Sequence, residues 1–93
     1  MIVGTCTVSF HIPGSGSLKS KRLVLRSLKD RIRHRFNVSV AEVDHCDLWQ
    51  RSTLAVAVVS RDGQFADRVI AKVLDLIESE TDISIIEIQT DQR

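Results

Sequence analysis

Apolar and polar residues alternate from Met1 to Ile12, with Ile2, Cys6, Val8, Phe10 and Ile12 on one side and Val3, Thr5, Thr7, Ser9 and His11 on the other. A period of two predicts a half-buried strand. Pro13 to Ser17 interrupts it, and the period then lengthens. Leu18, Val24, Leu25, Leu28, Ile32 and Phe36 fall within an arc of about 120° on a helical wheel, which predicts a helix over Ser17–Arg35 with one buried face. Ser17 is placed to cap it, and Asn37 suits a helix-ending position.

Val38, Val40 and Val43 carry a second strand through about Asp44, and the break of phase at Ala41 and Glu42 predicts a bulge. Asp44 to Arg51 reads as a hairpin loop. Thr53 to Ser60, TLAVAVVS, tolerates burial on both faces, as a central strand does. Asp62-Gly63 is a turn, with Asp62 capping a second helix to about Ser79. Its buried stripe includes Phe65, Ala66, Val69, Ile70, Val73 and Ile77. Ile83 to Ile88 gives a last strand, followed by a polar tail.

The order β-α-β-β-α-β, with right-handed crossovers and one hairpin, predicts an α+β, ferredoxin-like sandwich: a four-stranded antiparallel sheet with two helices on one face. Its open face would carry Val3, Thr5, Thr7, Ala55, Ala57 and Val59. These are small and only mildly polar, so a partner is expected there, and a homodimer is the simplest one.

The 93 residues make one small domain, 1–93, with 43% hydrophobic and 27% charged residues, a balance that excludes disorder and low complexity. No apolar run is long enough to cross a membrane, and the first residues lack the basic and apolar regions of a signal peptide. The expectation is a cytoplasmic protein. Cys6 lies on the apolar side of a strand and Cys46 in a polar loop, so no disulfide framework is expected.

Charge changes the picture most. The net formal charge is +1, yet Ser17–Arg35 holds Lys19, Lys21, Arg22, Arg26, Lys29, Arg31, Arg33 and Arg35 against Asp30 alone. That segment is strongly basic and the remainder acidic. Lys19, Arg22, Arg26, Lys29 and Arg33 fall within about 80° of one another, following the 3,4,3,4 spacing of one helix flank. Like charges so placed repel and call for an anion. Two sources are open. Asp67, Asp75 and Glu78 on the second helix share one flank and could neutralise the ridge internally. Alternatively, the ridge, with Lys21, tracks the phosphates of RNA. The central strands lack the stacking aromatics of a base-reading sheet, so such binding would be directed mainly at the backbone.

Two loops carry candidate chemistry. Gly14, Ser15, Gly16 and Ser17 open a helix, where free N–H groups present a candidate anion seat. The spacing is not that of a P-loop, and a plain turn with a cap explains it as well. Asp44, His45, Cys46 and Asp47 gather metal-ligand types, but adjacent residues seldom converge on one ion. Neither metal nor cofactor is expected, and His45 with Cys46 does not make a nucleophile pair. Trp49, the only Trp, is either a lid folded onto the core or a stacking and partner-contact residue.

SFHIPGSGSLKSKR, RFNVSVAEVDHCDLW and STLAVAVVSRD together resemble the YlxP-like family of small bacterial proteins. The most specific parts are Ser17 to Arg22 and Phe36 to Val43. The resemblance implies a ferredoxin-like fold and a bacterial cytoplasmic protein. Its members are often encoded beside translation and ribosome-maturation factors, which implies an RNA-linked role. It transfers no catalytic residues. The leading expectation is therefore a non-enzymatic RNA-binding or ribosome-associated accessory module. The alternative is a homodimeric regulatory or structural protein that binds a small ligand or a protein through its open sheet face. An acylphosphatase-like enzyme ranks last: that family's Arg belongs in the loop after the first strand and its Asn on the central hairpin, whereas Arg22 lies inside the helix and Asn37 at its exit.

Overall fold

A computed structural model describes residues Met1–Arg93. The elements run β1 (Ile2–His11), α1 (Leu18–Arg35), β2 (Ser39–Asp44), β3 (Arg51–Ser60), α2 (Gly63–Glu78) and β4 (Ser84–Gln92). The strands form one antiparallel sheet in the order β2-β3-β1-β4, with both helices on one face. This is the expected ferredoxin-like arrangement. No helix is long and apolar enough to cross a membrane.

The core lies between sheet and helices. Cys6, Val8 and Phe10 from β1 meet Leu54, Val56 and Val58 from β3 beneath Leu25, Leu28 and Ile32 of α1 and Ala66, Ile70, Val73 and Ile77 of α2. Phe10 is fully buried, and its truncation to Ala would cost about 3–5 kcal/mol. Burial pushes the Cys6 thiol up to about 11, so it packs as a small hydrophobe. Gly4 interrupts the apolar side of β1 for a steric reason. A Cβ there would stand 3.1 Å from the Ala66 Cβ and 3.2 Å from the Val58 Cγ1, so its absence lets α2 approach the sheet closely.

Both caps form as expected. Ser17 Oγ accepts from the Ser20 N–H at 3.0 Å and Asp62 Oδ1 from the Gln64 N–H at 2.9 Å. Helix α1 ends where expected, and the differences lie beyond it. Helix α1 stops at Arg35, and Phe36 takes extended backbone as it turns its ring against the core; Asn37 adopts no left-handed cap. The β2 bulge falls between Glu42 and Asp44, one position beyond the expected break. Strand β3 begins two residues early, at Arg51. The polar tail is strand: β4 runs to Gln92 and pairs with β1 as far as Gly4. An edge strand gains its stability from ladder hydrogen bonds, so it needs no apolar alternation to declare it.

Candidate nucleic-acid interface and open-face cluster

Helix α1 has two charged flanks, and the topology treats them differently. Arg31 faces α2 and pairs with Glu80 just beyond that helix. The opposite flank carries the ridge and leans toward the edge strand β2, where Arg33 donates to the Val40 carbonyl at 2.9 Å. Lys19, Arg22 and Arg26 are exposed and Lys29 is half-buried. None of these four takes part in an ion pair. Arg33 also lies 3.9 Å from Asp30.

Internal neutralisation from α2 does not occur. Asp67 accepts from Gln92 Nε2 at 2.9 Å, and neither Asp75 nor Glu78 reaches the ridge. The reason is geometric: α2 packs beside the flank that bears Arg31, leaving the ridge on the far side of α1.

Lys21 is a correction to the nucleic-acid-binding set. It is 1% exposed and points inward, where Nζ meets Glu42 Oε2 at 2.9 Å and donates to the carbonyls of His45 at 2.7 Å and Cys46 at 3.4 Å. Buried Ser52 donates to the same carboxylate at 2.7 Å. Partial burial alone would raise the Glu42 carboxyl. The hydrogen bonds from Ser52 and Lys21, the Lys21 charge and, last, the Cys46 thiol outweigh it and hold the pKa below the ordinary range. The network ties the first turn of α1 to the β2–β3 hairpin.

Within the candidate anion seat, the polar groups of Ser15 are engaged internally. Ser15 is buried; its N–H bonds Ile12, its hydroxyl bonds the Ser17 carbonyl at 3.1 Å, and its carbonyl accepts from Gln50 at 3.1 Å. Gly14 and Gly16 lack positive φ and have open space where a Cβ would stand. Asp82 lines the groove beside this loop. The segment forms a turn with a cap, and the hydroxyls of Ser15 and Ser17 are engaged within it.

The loop after β2 has more structure than its sequence suggested. His45 has φ 61°, in the left-handed region uncommon for a residue with a side chain. Three bonds hold it there: its N–H to Asp44 Oδ1 at 2.7 Å, its carbonyl to Lys21, and Nδ1 to Thr53 Oγ1 at 2.9 Å. Thr53 Oγ1 in turn shares a 2.8 Å hydrogen bond with Ser9 Oγ. His45, Ser9, Thr53 and Arg51 line a depression of about 350 Å³ on the open sheet face, with Glu87 and Gln89 on its β4 side. Arg51 Nε is the one buried side-chain nitrogen or oxygen without a hydrogen-bond partner. Trp49 is 55% exposed and Leu48 nearly as much, so the Trp is no core lid. Residue spacing could not reveal this cluster, because three strands and a loop contribute to it. Val3, Thr5, Thr7, Ala55 and Ala57 of the open face are partly buried by their neighbours, whereas Val59 is 66% exposed.

A family described as "Protein of unknown function (DUF503)" matches residues 3–90. The chain belongs to the DUF503 family. Among its relatives is the "Uncharacterized protein YlxP" of Bacillus subtilis (strain 168), 35% identical over 78 residues, which covers 84% of this chain and 85% of that protein. The expected resemblance to YlxP-like proteins therefore holds over most of the chain. Among solved structures, the "De novo designed protein Foldit4" superposes with a TM-score of 0.60 at 11% identity, covering 96% of each chain. At that identity the likeness concerns the fold alone.

Proposed function

We propose that this DUF503 member is a non-enzymatic RNA-binding or ribosome-associated accessory module of the cytoplasm, whose contact surface is the outer flank of α1. The observation that carries the reading is the set of four unpaired cations, Lys19, Arg22, Arg26 and Lys29, on the flank turned away from the acids of α2. Two features of α1 support it. Its first turn holds no acid, although carboxylates there would suit the helix dipole. From Lys19 to Arg33 the helix rises about 21 Å, enough for several consecutive phosphates.

Binding of structured RNA, followed by fluorescence anisotropy from low to physiological salt, tests the reading. Four released counterions give a logarithmic salt slope of roughly −3 to −4. The Arg22→Glu/Arg26→Glu double variant should lose most of the affinity and flatten that slope. Wild-type protein that ignores structured RNA even at low salt would sink the proposal.

A second reading rests on Val59, the most exposed apolar residue of the sheet's open face: two copies meet through Val3, Ala55, Ala57 and Val59. Ala57→Glu should then weaken self-association, and a monomer at high concentration in sedimentation would exclude it.

A further inference from the structure

Arg51 is anomalous. It opens β3 opposite His11 and stands half-buried, with Nε enclosed and without an acceptor. None of the molecule's four ion pairs involves it. A half-buried charge without a counter-ion is unfavourable, and an anion beside the outer part of the guanidinium would offset it. The one fully buried cation, Lys21, is satisfied within the chain.

The surroundings define what would complete it. Arg51 lines two adjoining depressions. In one, the hydroxyls of Ser9 and Thr53 orient the His45 ring through Nδ1, which leaves Nε2 as its free nitrogen. The backbone of His45 is fastened by Asp44 and Lys21, so the ring is held before any ligand arrives. In the other depression Arg51 meets His11, Leu48 and Trp49, and the exposed indole forms an aromatic wall. The nearby carboxylates do not fill the cation's need. Asp44 is committed to the His45 N–H. Glu87 accepts from Gln89 at 2.9 Å and pairs across from Ser9 on β4, two strand spacings, about 10 Å, from the backbone of β3.

We propose that this end of the open face is a nucleotide subsite: Arg51 and His45 Nε2 hold a phosphate, and Trp49 stacks the attached base. Stacking on an exposed aromatic beside a basic group tolerates any base, because every base has a π-face. Gln89 and Glu87, on the far side of the depression, suit ribose hydroxyls. The ligand is a base joined to a phosphate, supplied either by a free nucleotide or by an unpaired nucleotide of RNA. Only the RNA source rests on the function proposed above.

Trp49 is the only Trp and the chain has no Tyr, so its emission reports on this site alone. Wild-type protein is titrated with adenosine 5′-monophosphate, with a 5′-phosphorylated single-stranded hexa-adenylate, and with inorganic phosphate alone. Saturable quenching by the first two, with phosphate competing but not quenching, is the expected result. Quenching by the hexanucleotide alone assigns the site to RNA, and equal affinity for both assigns it to free nucleotides. Arg51→Gln should weaken binding at least tenfold while Arg51→Lys recovers part of it, with melting no lower than the wild type's showing that both variants fold. Arg22→Glu/Arg26→Glu should leave binding of the mononucleotide intact, so a failure of the helix to bind structured RNA stays separate from a failure here. No saturable quenching by either nucleotide overturns the proposal, as does an emission shift that depends on protein concentration alone, since a second copy would then cover Trp49.

Discussion

Two cations, buried Lys21 under the sheet and half-buried Arg51 on its open face, show how partners separate a structural charge from an available one. Lys21 has a carboxylate and two backbone carbonyls around its ammonium, which offset the cost of removing it from water. Arg51, less deeply buried, has an enclosed nitrogen with nothing to accept its proton. Both are basic residues in a chain rich in them, and the sequence offers no sign of which one the fold consumes. The lesson extends along α1, where Lys19 and Lys21 are two residues apart but one is exposed and the other holds a loop in place.

The largest expected effect comes from breaking the satisfied cation. Lys21→Ala should destabilise the fold by about 2–4 kcal/mol, the lower part of the range for a broken buried pair because Glu42 keeps Ser52 and some contact with water. For a domain of this size that lowers the melting temperature by roughly 10–25 °C. A melting curve like the wild type's would show that the ion pair does not hold the hairpin.

Acid should reproduce part of that loss. The Glu42 carboxyl is depressed below its ordinary 4.5 in the folded state, so the unfolded chain binds the proton more readily. Its stabilising contribution is fully present above about 4.5 and disappears as the pH falls through the lower folded value. Glu42→Gln removes this titration, so wild type and variant should keep a constant gap in stability above about pH 4.5 and converge as the pH falls below it. Parallel stability curves across that window would place the acid sensitivity elsewhere.

Arg51 should behave in the opposite way to Lys21. Arg51→Gln removes a charge with no partner, so stability should hold or rise, by up to about 1 kcal/mol. A loss comparable to that of Lys21→Ala would mean that Arg51 is satisfied after all. The smallest effect belongs to the outer ridge: Arg22→Glu/Arg26→Glu should move stability by no more than about 0.5 kcal/mol, since neither residue has a partner in the fold. Denaturant unfolding of the double variant measures this directly, and a large change in either direction would reveal a contact that the ridge makes within the chain.

Much of this molecule was legible without coordinates. Period-two and period-3.6 patterning placed four strands and two helices in the right order, and Ser17 and Asp62 marked both helix starts, because burial of one face and unpaired N–H groups are local demands. The charge ridge was equally legible, since a helix wheel turns spacing into position. What lay beyond the sequence depended on neighbours distant along the chain. Gln89 to Gln92 became strand because β1 offered an unpaired edge, and Val43 bulged because β3 set the register. Lys21 turned inward because Glu42 and the His45 carbonyl were waiting 21 and 24 residues away. The ridge kept its charge because α2 packed on the other flank of α1. Arg51, His45, Ser9 and Thr53 came together only when two strands and a loop were brought side by side, and whether a charge finds a partner is settled at that stage, by which groups the tertiary fold leaves within reach.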